Sequence, residues 1–330
     1  MSATIYLETG SNDPRYNLAF EEYILSNRRD GDYLILWQNS PSVIIGRNQN
    51  TVQEVNGAFV RERNIQVVRR NTGGGAVYHD LGNLNYSFIC NADAPEQRTA
   101  QRFTAPVVSA LNSLGLDAEA SGRNDILVSS CKVSGTAEYI LRGRVLHHGT
   151  LLFDSDGETI AKVLTPDPLK LQAKGIRSVK SRVGNIRSFL HEDMTLTQFW
   201  DYLKTALSGD GFVPDTISEE ERQQILQLKA EKYDTWQWNY GNSPNFQLCC
   251  KDKWDGGILE IHLSVDHGKI SAIRIFGDFM ALISCEPLEQ ALLGCEYRMD
   301  AIRAAIAPFS LAECLGGITE EEFLQTLLKD

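Results

Sequence analysis

Apolar positions along this chain fall into short runs of strand period, with longer stretches of helical period between them. Tyr33 to Trp37 and Ser42 to Ile45 are apolar runs that predict a pair of strands. Leu84 to Ile89, Ile126 to Val128, Lys132 to Ala137 and Val145 to Phe153 predict further strands. Asp13 before Pro14 gives a capping side chain followed by proline in the first helical turn, and Leu18, Tyr23 and Leu25 then form an apolar face. Thr51 and Glu54 have the spacing of a capping box and predict a helix reaching about Asn64. Thr99 to Leu114 is helical by period and is stopped by Gly115, and Leu196 to Leu207 forms another helix. Strands come in groups and do not alternate one for one with helices. That grouping predicts an α+β fold with mixed β-sheets and flanking helices, not a doubly wound parallel sheet.

Beyond Asp210 the pattern changes. The acidic stretch Ser218 to Glu231 predicts a linker helix, Phe246 to Phe276 contains three strand-like runs, and helical patterns continue to Leu328. A chain of 330 residues is long for one hydrophobic core. The expected division is a large domain over 1–245, including a linker from about 211, and a smaller α+β domain over 246–330. Charge follows the same division: residues 1–210 carry 22 Lys+Arg against 23 Asp+Glu, whereas 211–330 carry 10 against 20, so almost all of the net charge of −11 lies in the last third. Such acidity argues against a general nucleic-acid binder. The seven cysteines show no C-x-x-C spacing, so neither a zinc site nor a disulfide framework is indicated, and a reducing, cytoplasmic setting is expected. The N-terminus lacks the pattern of a signal peptide, and no apolar run approaches the roughly 18 residues of a membrane span.

Candidate chemistry begins at Arg69 to Asn83, RRNTGGGAVYHDLGN. Val67 and Val68 end a buried strand, Ala76 to Tyr78 read as another, and between them Gly73, Gly74 and Gly75 permit positive φ and close approach of another molecule to the main chain. A hollow lined with N–H groups favours anions, and Arg69 and Arg70 would add positive charge at its mouth. A tight turn with a solvated arginine pair fits the same residues. The phosphate loop of Walker type is excluded, because the candidate Gly268-Lys269 is followed by Ile270. The dinucleotide fingerprint fails as well, since Tyr78 stands where its third glycine belongs.

Lys132 lies in an otherwise small or apolar strand, where an ammonium is costly without a partner or ligand anion, although a snorkelling edge lysine fits too. His147 and His148 are adjacent in a strand and so point to opposite faces; at most one faces a site. Leu169 to Leu190 holds six basic residues and no acidic one, interrupted by Gly175 and Gly184, which suits either a solvated face or a loop closing over a polyphosphate.

Taken together, Arg70-x-x-Gly73-Gly74-Gly75-x-Val77-x-His79-Asp80-x-Gly82-Asn83, Ser121-Gly122-Arg123-Asn124-Asp125, Lys132-Val133-Ser134-Gly135 and His147-His148-Gly149-Thr150 resemble bacterial lipoate-protein ligases with a C-terminal accessory domain. Asn17-Leu18-Ala19-x-Glu21-Glu22, Ile45-Gly46-Arg47-x-Gln49-Asn50 and Ala173-Lys174-Gly175-Ile176-x-Ser178-Val179 match the same family, so the resemblance covers nearly the whole chain. It implies the biotin/lipoate ligase type of catalytic fold and ATP-dependent conversion of lipoate to lipoyl-AMP. The lipoyl group then passes to a lysine of apo lipoyl domains, those of 2-oxoacid dehydrogenase complexes and of the glycine cleavage H protein; neither nucleic acid nor membrane is implied.

By the same resemblance Arg70, Gly75, Ala76, Val77, Tyr78 and Lys132 bind ATP, and Lys132, Gly73, Gly74, His79 and His148 bind lipoate. Lys132 is the catalytic residue, Lys174, Gly175, Lys180 and Arg182 belong to an adenylate loop, and Asp125 is the protein candidate for Mg²⁺ held through ATP. An ATP-independent octanoyl or lipoyl transferase using a cysteine thioester at Cys131 is the alternative within the enzyme class. A lipoate or nucleotide carrier without turnover is the alternative outside it.

Overall fold

The computed structural model describes residues 4–91, 100–122, 124–164, 183–208, 211–240 and 248–328. The apolar runs become strands of two sheets in the large body. Eight strands lie side by side in the order Phe212–Pro214, Thr4–Glu8, Tyr33–Trp37, Asn83–Asn91, Arg144–Leu152, Cys131–Leu141, Asp125–Val128 and Ala118–Ser121. Thr4–Glu8 pairs in parallel with both of its neighbours, and the remaining pairs are antiparallel, so the sheet is mixed as the grouping of strands predicts. A smaller sheet is ordered Gln66–Arg69, Ser42–Ile45, Val77–His79. Tyr33–Trp37 and Ser42–Ile45 are therefore not partners. Only four residues separate them, and the chain turns from one sheet into the other instead of closing a hairpin.

The helix at Pro14–Asn27 starts where Asp13 accepts the amide of Arg15, and it packs Leu18, Phe20, Ile24 and Leu25 into a core shared with Ile35 and Trp37. On the opposite face of the large sheet, Ala100–Ser113 and Leu196–Ala206 cover Leu84, Tyr86, Val133 and Leu151. The helix expected from Thr51 to Asn64 is broken into Thr51–Glu54 and Gly57–Glu62, the second capped by the Asn56 side chain, which accepts from Phe59 N. The Thr51 hydroxyl does not cap it, because it donates to the Asn239 carbonyl at 2.6 Å and accepts from Arg69 at 2.6 Å. The stretch after 211 is no free linker. Phe212–Pro214 extends the large sheet, and Glu219–Leu228 packs Ile225 into the core beneath the first helix.

Residues 248–328 build a second core. Three antiparallel strands, Leu248–Trp254, Gly257–Asp266 and Lys269–Gly277, set Leu259, Ile261, Leu263 and Ile273 against Leu288, Ile302, Phe323 and Leu327 of the helices that follow. The segment after the third strand reaches the large body: Gly74 N donates to Phe279 O at 3.0 Å, Ile140 N donates to Leu282 O at 2.9 Å, and Arg47 Nη2 donates to Ser284 Oγ at 2.9 Å. The seven cysteines, all among the described residues, form no disulfide; Cys249 is exposed, and Cys90, Cys250, Cys285 and Cys314 are buried. Among the described residues no helix is long and apolar enough to cross a membrane.

Candidate active site

A cavity lies between the first helix, the small sheet and the strands Cys131–Leu141 and Arg144–Leu152. Its apolar wall is Leu18, Trp37, Ile44, Val77 and Ala137, and its polar groups include Arg70, His79, Asn85, Asn124, Lys132, Thr136, His148 and Thr150. Strand alternation selects them. In Arg144–Leu152, His148 and Thr150 face the cavity, while His147 turns to the other side and stacks on Phe103 at 5.0 Å. In Cys131–Leu141, Lys132 enters the cavity and Cys131 does not; a Cβ placed on Gly184 would lie 2.9 Å from the Cys131 Cβ, so the thiol side is packed elsewhere.

Lys132 is a third exposed, and its Nζ lies 2.6 Å from Asp125 Oδ1 on the neighbouring strand. Its stem passes over Gly135, where a Cβ would meet Nζ at 3.2 Å. Its own carbonyl accepts from Gly184 N at 3.0 Å, which ties the lysine to the second glycine of the basic segment. The loop residues Lys174, Gly175, Lys180 and Arg182 lie outside the described residues.

The three glycines have different neighbours. A Cβ on Gly73 would stand 2.5 Å from Ala281 N, and one on Gly74, whose φ is +86°, would stand 2.8 Å from Met280 Sδ. Both close approaches are to the C-terminal body. A Cβ on Gly75 would meet nothing within 4 Å, and this glycine lines the cavity with Ala76 and Val77. Tyr78 turns its ring into the core of the small sheet, with Val43, Ile45 and Val55.

Arg69 and Arg70 are buried and do not stand free at the mouth of the loop. Arg69 Nη1 donates to the carbonyls of Gly46, Arg47 and Gln49, and Arg70 donates to those of Ile44, Gly73 and Gly75. Burial holds both guanidinium groups down at about 10, still charged at neutral pH. Carbonyl oxygens attract a cation without neutralising it, so the net charge stays beside the cavity.

A buried hydrogen-bonded line crosses the site. Trp37 Nε1 donates to Ser87 Oγ at 2.9 Å, Ser87 donates to Glu21 at 2.6 Å, Glu21 meets His148 Nδ1 at 2.8 Å, and His148 Nε2 meets Thr72 Oγ1 at 2.8 Å; Arg70 Nε completes the line on Thr72. Sequence reading misses Trp37, Ile44, Asn85, Thr136 and Thr150 as wall residues. For Trp37 the available signal is an aromatic ring closing an apolar strand. Away from the cavity, Cys249, Glu260 and His262 bring ligand-type atoms within 4.8 Å of one another, but Lys251 stands 2.9 Å from Glu260 and supplies the positive charge there.

This fold, with an apolar cavity that ends at a lysine beside a glycine loop, is that of an acyl-activating protein ligase. The family model for the lipoyl protein ligase A/B catalytic domain matches residues 13–208, and that for the bacterial lipoate protein ligase C-terminus matches 243–327. The chain belongs to the lipoate-protein ligase family. It is 42% identical to lipoate-protein ligase LplJ of Bacillus subtilis (strain 168), over 96% of this chain and 97% of that protein. It is 40% identical to lipoate-protein ligase 1 of Staphylococcus aureus, over 96% and 97%. Among solved structures, P. falciparum LipL1 in complex with lipoate superposes with a TM-score of 0.79 at 25% identity, covering 99% of this chain and 98% of that one. Lipoate-protein ligase A bound with ATP superposes with a TM-score of 0.63 at 31% identity, covering 73% and 98%.

Proposed function

We propose that this protein condenses lipoate with ATP to give lipoyl-AMP and pyrophosphate, then transfers the lipoyl group to a lysine of an apo lipoyl domain. The observation that carries this reading is the cavity in which an apolar depth opens at Lys132 and at the unobstructed Gly75. An acyl chain lies along Leu18, Trp37, Ile44 and Val77, and burying each of its methylenes contributes about 0.8 kcal/mol. Its carboxylate then reaches Lys132.

In the first half-reaction a carboxylate oxygen attacks the α-phosphorus, an O–P bond forms and pyrophosphate leaves. Two anions must meet. Lys132 touches both and stabilises the charge that develops between them, while Arg70 shapes the loop through the Gly73 and Gly75 carbonyls. In the second half-reaction the neutral amine of the acceptor lysine attacks the lipoyl carbonyl carbon, AMP leaves, and the amine gives up a proton. His79 and His148, which line the cavity, are assigned to the lipoate side, together with the main chain of Gly73 and Gly74, whose Cα faces turn to the C-terminal body; Ala76 and Val77, with the main chain of Tyr78, are assigned to the nucleotide side. The basic residues Lys174, Lys180 and Arg182 with Gly175 are assigned to the adenylate.

Mg²⁺ accompanies the triphosphate in this reading. One carboxylate plus phosphate oxygens is a usual ligand set for it, and Asp125, with an oxygen not engaged by Lys132, fits as that carboxylate. When bound, the ion screens phosphate charge. The acceptors proposed are lipoyl domains of 2-oxoacid dehydrogenase complexes and the glycine cleavage H protein, in the cytoplasm. One relative, a bipartite lipoate protein ligase from Thermoplasma acidophilum with its E2 lipoyl domain, aligns at 32% identity over 75% of this chain and 99% of its own, with a TM-score of 0.65. The position of Cys131 outside the cavity supports the adenylate route over a thioester.

Incubating the protein with ATP, Mg²⁺, lipoate and an apo lipoyl domain, and weighing the acceptor, tests the reading. The lipoyl mass should appear only with both ATP and lipoate. Equal modification without ATP overturns it.

A further inference from the structure

His79 is 3% exposed, lines the cavity and leaves its Nε2 without a hydrogen-bond partner among the described residues. The surrounding amides fix which nitrogen carries the proton. Asn17 Nδ2 faces the carbonyls of Ser11 at 3.0 Å and Gln38 at 2.7 Å, so that end of the Asn17 amide is the donor. The same Nδ2 lies 2.9 Å from Asn39 Oδ1, which is therefore the acceptor, and this leaves Asn39 Nδ2 to donate to His79 Nδ1 at 3.0 Å. Nδ1 offers a lone pair, so the ring proton sits on Nε2. The imidazole also stays neutral: burial first, then Arg70 and His148, push it down to about 3.

Depth decides what this donor meets. Lys132 is a third exposed and lies on the open side of the cavity, whereas His79 and Trp37, each 3% exposed and with ring centroids 6.2 Å apart, line its buried part. A substrate whose carboxylate lies at Lys132 extends its far end into this buried part, which His79 borders. For lipoate that end is a dithiolane, whose sulfur lone pairs are weak acceptors. For a plain fatty acid it is a methyl group with none.

We propose that His79, held by Asn17 and Asn39 as the Nε2–H tautomer, is a specificity-determining residue that donates to the dithiolane and selects lipoate over an unsubstituted acyl chain. This rests on the ligase reading and deepens it. A hydrocarbon end leaves the buried N–H unpaired, which penalises the wrong substrate more than the hydrogen bond favours the right one.

Two measurements test it. In full-length protein labelled with ¹⁵N-histidine, without ATP, the His79 ring should report a bare Nδ1 and a protonated Nε2. The Nε2–H resonance should move on adding lipoate and stay put on adding octanoate under saturation. In pyrophosphate-release assays His79→Leu should lower the lipoate-over-octanoate ratio of kcat/KM about three- to tenfold, the worth of one hydrogen bond, and His79→Gln, which keeps a donor, should restore part of it. An Nδ1–H tautomer, an equal Nε2–H response to both acids, or an unchanged ratio in folded His79→Leu overturns the proposal and leaves the ligase reading standing. Wild-type protein that releases no pyrophosphate with lipoate overturns both.

Discussion

Lys132 and Asp125 form an ion pair across neighbouring strands, Nζ to Oδ1 2.6 Å, at the mouth of the cavity. The lysine is thus aimed before any substrate arrives, and Gly135 beneath it leaves room for a slim stem. At this exposure the pair itself contributes little to stability. Its value is position.

Lys132→Ala should therefore lower adenylation by ~100-fold or more with little change in thermal midpoint, the scale of losing one preorganised donor. Lys132→Arg should recover little, because a planar guanidinium replaces a compact ammonium between closely spaced oxygens. Cys131→Ser should keep both half-reactions near wild type. Pyrophosphate release and acceptor mass check all three, and an active Lys132→Ala beside an inactive Cys131→Ser would point to the thioester route instead.

The glycines should separate under substitution. Gly73→Ala drives a methyl group against the Ala281 amide, and Gly74→Ala adds a strained φ of +86° and a clash with Met280. Both should loosen the C-terminal body, read as a larger radius of gyration in small-angle scattering. Gly75→Ala should leave that radius unchanged and raise KM for ATP, since its methyl group enters open cavity.

Acid should weaken the fold before most carboxylates titrate. His79 and His147 both have proton affinities depressed by burial, His79 from 6.5 to about 3. The unfolded chain binds protons the folded chain refuses, so stability is full above pH 6.5 and falls as pH drops below it. The slope for His79 approaches about 1.4 kcal/mol per pH unit once pH is well below 6.5, and His147 acts in the same direction. Urea midpoints from pH 7 to 5 measure it, and His79→Leu should flatten the slope.

Glu21 is the centre of the line from Trp37 to Arg70, 4% exposed. Glu21→Leu should cost about 3–5 kcal/mol, because His148 and Ser87 lose their partner inside the core. Glu21→Gln keeps an acceptor and should cost less. Denaturant unfolding distinguishes them.

Local pattern makes most elements legible. Asp13 capping Pro14–Asn27, the period of Leu196–Ala206 and the three strands after 248 all follow from neighbours in sequence. Pairing is not legible: nothing local tells Ser42–Ile45 to leave Tyr33–Trp37 for Gln66–Arg69. Arg69 and Arg70 look like surface charge in the sequence because their partners are carbonyls, which every residue has and no sequence marks. His79 can be singled out by its motif, but its tautomer depends on Asn17 and Asn39, gathered from a helix and a turn. Phe212–Pro214, short and partly exposed, carries almost no strand signal of its own.

The exposed Cys249 sits on the first strand of the C-terminal body, while Trp236, more than half exposed, sits on the large one. With Trp254 on that same strand changed to phenylalanine and the partly exposed Cys131 and Cys295 changed to serine, a dye that accepts tryptophan emission can be attached at Cys249 alone, and the four tryptophans that remain, Trp37, Trp200, Trp236 and Trp238, all lie in the large body. The chain then carries its own molecular ruler. Efficiency of energy transfer, followed after mixing with ATP and then with acceptor, would show in real time whether the two bodies stay together through both half-reactions.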